Sequence, residues 1–81
     1  MSLERAAMRG KLADARMRAK KLSLRIEGNC TAIRQGLNTA LTPVADLAVP
    51  QLAEQMDELV GAWAELQATL AEIARLEREL A

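Results

Sequence analysis

Two runs of seam-forming residues recur at steps of four and three, and a pair of prolines separates them. In the first run Met8, Leu12, Ala15, Ala19, Leu22, Ile26, Asn29 and Ile33 follow the spacing; in the second, Leu52, Met56, Leu59, Trp63, Leu66, Leu70, Ile73, Leu76 and Leu80 do. Such spacing keeps side chains on one face of an α-helix and is incompatible with the two-residue period of a strand. Between the runs, Thr42-Pro43 and Val49-Pro50 each bias the residue before proline away from helical angles. Arms of thirty-odd residues, each roughly 45 Å long, joined by so short a segment must lie antiparallel. The expected fold class is therefore all-α: a coiled-coil-like, antiparallel two-helix hairpin occupying residues 1–81 as one domain. Helix 1 is expected over about 2–41, the turn over about 42–49 and helix 2 over about 50–81.

Local signals refine this outline. Ser2, followed by Leu3, Glu4 and Arg5, suits an N-cap with an acid in the first turn. Pro50 suits the first position of helix 2, and Thr42 is a candidate cap for a short turn through Pro43 and Asp46. Gly28 and Gly36 weaken helix 1, and from Ile26 onward the apolar positions are better followed as Cys30, Ile33, Leu37 and Leu41, a one-residue shift like a coiled-coil stutter at which the seam is expected to rotate. If Ile33 meets Leu59, then Ile26 meets Leu66, Leu22 meets Leu70 and Ala19 meets Ile73. That register sets Trp63 opposite Gly28, Asn29 and Cys30, with Asn29 a candidate partner for the indole N–H. The expected hairpin core is Leu12, Leu22, Ile26, Ile33, Leu59, Trp63, Leu66, Leu70 and Ile73.

Charge is segregated by arm. Residues 1–41 carry nine Lys/Arg and three Asp/Glu, and residues 42–81 carry two and eight, so a net +6 precedes a net −6. Opposite arms favour the antiparallel pairing over like-with-like alternatives. Arg5, Arg9, Arg16 and Lys20 flank one side of the helix 1 seam and Lys11, Arg18 and Arg25 the other, while Glu58, Glu65, Glu72 and Glu79 repeat every seven residues on helix 2. A second apolar stripe, Leu3, Ala6, Gly10, Ala13, Met17 and Leu24, runs along the face of helix 1 away from the seam. A helix apolar on two faces is usually covered on both, which makes these six residues the expected partner interface. The apolar strip of helix 2 is also broader than a two-stranded coil requires, as a four-helix bundle of two hairpins would need.

The same inventory bears on chemistry. The chain has no His, a single Cys and no glycine-rich phosphate loop, so no zinc or iron ligand set, internal disulfide or nucleophile–base pair can be named. Cys30 reads as a small buried hydrophobe. Acidic pairs such as Asp57-Glu58 read as solvated charge. The expectation is no enzyme, no catalytic residue, no cofactor, no metal and no small-molecule substrate. The charged opening MSLERAAMRG lacks the apolar core of a signal peptide, and no window approaches a membrane span, so a cytoplasmic protein without membrane attachment is expected. Nucleic acid is the alternative partner, through Arg5, Arg9 and Lys11 on an N-terminal stretch expected to overhang the end of helix 2. Against it stand zero net charge and the lack of an aromatic platform for stacking bases.

The stretches MRGKLADARMRAKKLSLRI at residues 8–26 and QMDELVGAWAELQATLAEIARLE at 55–77, with LNTALTPVADL between them, resemble small helical proteins encoded in Mu-like prophages. The resemblance implies a phage accessory protein in a bacterial cytoplasm and transfers no functional residues. Taken together, the expected function is a non-enzymatic helical scaffold or protein-interaction adapter. It would self-associate as a dimeric four-helix bundle or dock another helix.

Overall fold

The computed structural model describes residues 2–81, which form two long helices and a compact turn. Helix α1 runs Leu3–Gly36 and helix α2 runs Val49–Leu80, and between them lies a single 3-10 turn at Val44–Asp46. The helices pack on each other along their length, giving a rod of 64 × 16 × 15 Å. This is the expected all-α hairpin.

Its ends follow from side-chain chemistry. Ser2 caps α1, its Oγ accepting from the Glu4 N–H at 3.1 Å, as the sequence predicts. Helix α1 ends at Gly36 rather than near Leu41. Leu37 and Asn38 direct their N–H groups back to the carbonyls of Ile33 and Gln35, and the Asn38 Oδ1 accepts from the Ala40 N–H at 3.0 Å. Asn38 thus stabilises the exit, by the local side-chain-to-backbone bonding that lets Asn compete with helix, while the short turn that follows has Pro43 at its N-cap and takes no side-chain cap from Thr42. Pro43 opens the 3-10 turn, and Ala48 precedes α2 with Pro50 in its first turn, where a missing N–H costs nothing.

The α1 seam is the predicted one. Leu12, Ala15, Leu22 and Ile33 are buried, and Met8, Ala19, Ile26, Asn29 and Gly36 are half-buried between them. The stutter is not followed: Leu37 and Leu41 are exposed, because the helix has ended.

On α2 the seam differs from expectation by one residue at three points, Gln55, Ala62 and Thr69 taking the places expected for Met56, Trp63 and Leu70, while Leu76 is in the seam as expected. Leu52, Ala62, Thr69 and Leu76 are buried, with Leu59, Leu66, Ile73 and Leu80 half-buried. Trp63 and Leu70, expected in the core, are exposed at 56% and 44%. The reason is close approach. Gly36 lies so near Leu52 that a Cβ built there would fall within the Leu52 side chain. Ala15 and Ala62, both almost fully buried, are small enough to let the backbones approach in the same way. At Ala62 and Thr69 the seam takes small side chains, and the indole next to Ala62 lies on the flank.

Carrying the Gly36–Leu52 contact along both helices pairs Leu22 with Leu66 and Ala15 with Ile73, a shift of four residues from the predicted register. Leu12 then meets Leu76, and Met8 meets Leu80. Thr69 is accommodated because its hydroxyl donates to the Glu65 carbonyl at 2.8 Å, which satisfies it within its own helix. Asn29 is not satisfied: its side-chain nitrogen is buried with no hydrogen-bond partner among the described residues.

Candidate interaction faces

A two-helix rod has four sides beyond its seam: two outer faces and two flanks on which both helices show. The outer face of α1 carries the second apolar stripe. All six residues are exposed, Leu3 at 89%, Met17 at 57% and Leu24 at 62%, and a Cβ added at Gly10 would meet nothing. The hairpin itself therefore leaves this stripe uncovered, with a stretch at Ala6, Gly10 and Ala13 shallow enough for another helix to approach.

One flank is charged. The Arg18 guanidinium lies 3.4 Å from the Glu72 carboxylate, joining the Lys11–Arg18–Arg25 row of α1 to the Glu58–Glu65–Glu72–Glu79 row of α2. This is the cross-arm pairing that the charge pattern predicts, and on this flank it closes at the Arg18–Glu72 rung. Glu79 pairs instead with Arg75 of its own helix at 3.3 Å. Each of these side chains keeps substantial solvent contact, so such pairs select the arrangement more than they stabilise it.

The other flank is apolar toward the turn. Its position is marked by a second ion pair, Arg16 to Glu77 at 3.8 Å. Stepping back from Glu77 by sevens along α2 gives Leu70, Trp63 and Met56, all exposed; stepping forward from Arg16 along α1 gives Ser23, Cys30 and Leu37. Between the helices on this side Ile26, Cys30, Leu59, Val60 and Trp63 line an open groove. Cys30, expected to be buried, is only partly so, and forms part of the groove wall. Trp63 does come near Cys30, as the predicted register had it, but on the flank and not in the core.

Sequence reasoning missed this surface by placing the Met56–Trp63–Leu70 row in the seam. A signal was present. That row ends in Glu77, whereas the row one residue earlier, Gln55, Ala62, Thr69 and Leu76, contains no ionisable side chain.

The basic N-terminal end overhangs by less than expected: with Met8 opposite Leu80, residues 3–7 of α1 run past the end of α2, and the Arg5 guanidinium reaches back to donate to the Leu80 carbonyl at 2.9 Å. Arg5 thus satisfies an orphan carbonyl at the C-terminus of α2, where a cation is favoured. Arg9 and Lys11 are exposed and form no ion pair among the described residues. No described helix is long and apolar enough to cross a membrane. No family model matches the chain, and no curated protein or solved structure shows significant similarity to it.

Proposed function

We propose that this chain is a non-enzymatic helical scaffold or adapter that acts by docking helix faces, with self-association into a dimeric four-helix bundle as its basic assembly. One observation carries the reading. Among the described residues, seven apolar ones are buried in the seam, while eleven large apolar side chains are exposed on the outer face of α1, the turn and the apolar flank. A two-helix chain encloses no interior of its own, so a surface of this kind is understood when further helices complete it. The outer stripe Leu3, Ala6, Gly10, Ala13, Met17 and Leu24 and the groove beside Trp63 are its docking surfaces. On the sequence resemblance, the setting is a Mu-like prophage expressed in a bacterial cytoplasm.

Nucleic-acid binding through Arg5, Arg9 and Lys11 draws less support, because Arg5 is engaged with the end of α2 and Arg9 and Lys11 lie alongside α2, not beyond it. Light scattering after size exclusion, across concentration and at low and high salt, tests the main reading with helicity followed on the same samples. A folded, salt-resistant dimer is expected, since apolar burial is insensitive to screening. A monomer at all concentrations that retards DNA or RNA, with retardation lost on neutralising Arg9 and Lys11, would replace the reading with the nucleic-acid one.

A further inference from the structure

We infer that a second copy of this chain covers the flank around Trp63, with the two hairpins related by a two-fold axis along their length and both turns at the same end. The inference rests on the self-association reading and adds which face is used and in what orientation. The outer stripe of α1 is a ridge on one helix, and half of it is Ala or Gly. The flank spans both helices, with Leu37, Met56, Val60, Trp63 and Leu70 between 44% and 60% exposed around the groove. Covering that patch on two copies removes on the order of 1,000 Å², the lower bound of a specific interface. A patch of this extent lies at the upper end of what monomers expose.

Area favours a second copy as the occupant, and charge selects the orientation. On this flank α2 shows an apolar row ending in Glu77, its Glu58–Glu65–Glu72–Glu79 row lying on the opposite flank, whereas α1 is basic. On this flank Arg16 and Cys30 mark the exposed side of α1; steps of seven and four from them add Arg9, Lys20 and Arg34, with Glu27 the sole acid. Packing α1 on the partner's α1 would stack these cations. Packing α1 on the partner's α2 sets them beside the Met56–Trp63–Leu70 row and its terminal Glu77. Only a two-fold axis parallel to the helices gives that pairing in both halves of the interface. It also overlays the two patches completely, since both lie toward the turn.

The test uses the full chain. In Val60→Lys/Trp63→Lys, which alters residues outside the seam, the dimer dissociation constant is expected to rise at least about a hundredfold with helicity retained. Ala13→Glu/Met17→Glu is expected to remain dimeric. In the unaltered protein, Trp63 emission should move to the blue in step with the rise in mass. A spin label at Ala7→Cys, in a Cys30→Ala background, should report about 20 Å between copies; hairpins centred on the same patch but pointing in opposite directions would give about 70 Å. A dimer that survives Val60→Lys/Trp63→Lys, or keeps a water-exposed Trp63 spectrum, overturns the face while leaving self-association standing. The longer label distance overturns the orientation. A monomeric unaltered chain overturns the inference together with the reading beneath it.

Discussion

Gly36 is where the packing of the two helices can be tested most sharply, because substitution by Ala should have the opposite sign there from the other helical glycines. Replacing Gly by Ala in an open helical position stabilises by about 0.5–1 kcal/mol, chiefly by restricting the unfolded chain. Gly28 and Gly61 are open positions, with nothing within 4 Å of an added Cβ. At Gly36 the same methyl group would overlap Leu52, with the Leu52 Cγ and Cδ1 at 3.3 and 3.4 Å from it as well. Leu52 is 7% exposed and part of the seam, so it cannot swing into solvent without abandoning its contacts. Overpacking of this kind costs about 1–3 kcal/mol, and at a helix's last residue the propensity gain is at the low end of its range. The net for Gly36→Ala is a destabilisation of about 1–2 kcal/mol. For a chain of this size that lowers the melting temperature by about 5–15 °C, whereas Gly28→Ala and Gly61→Ala raise it by a few degrees. Thermal and urea melts followed by far-ultraviolet circular dichroism, all at one protein concentration, make the comparison. If Gly36→Ala stabilises as much as Gly28→Ala, the close approach at Gly36 and Leu52 is wrong, and the register built on it falls too.

Other substitutions probe the remaining features. Asn29→Leu should stabilise the hairpin in urea melts by about 1–3 kcal/mol, since it removes a buried amide nitrogen without a partner; a loss of stability would show that the amide is satisfied in solution. The same variant should broaden distance distributions between labels on α1 and α2, because a polar seam residue restricts register. Leu76→Ala, at the most deeply buried large side chain, should cost about 2–4 kcal/mol in the same melts, and a cost below about 1 kcal/mol would place Leu76 outside the seam. Arg18→Ala should change stability by less than about 1 kcal/mol at low salt and by nothing measurable at high salt, given how exposed its pairing with Glu72 is. A large, salt-insensitive loss there would mean that the Arg18 stem, not its charge, covers the seam.

The sequence by itself determined the elements, their antiparallel order and the α1 seam. Spacing of four and three, two prolines in one short segment and a capping Ser2 are local signals, and each acts through its own backbone or helix. Segregated charge added the sense of the flank where Arg18 meets Glu72. What local signals could not determine was which of two adjacent heptad rows of α2 would face α1. Both the Met56–Trp63–Leu70 row and the Ala62–Thr69–Leu76 row make an acceptable helix face, and hydrophobicity favours the first. Tertiary structure decided for the second, because small residues face large ones along the seam, Gly36 against Leu52 and Ala15 against Ile73, and this interdigitation maximises dispersion contact. The same choice placed Trp63 on the surface, shortened the expected overhang and brought the Arg5 guanidinium to Leu80, and formed the groove beside Cys30. Helix formation is a property of each arm separately, whereas register depends on how the two surfaces fit, and that fit exists only once the arms have met.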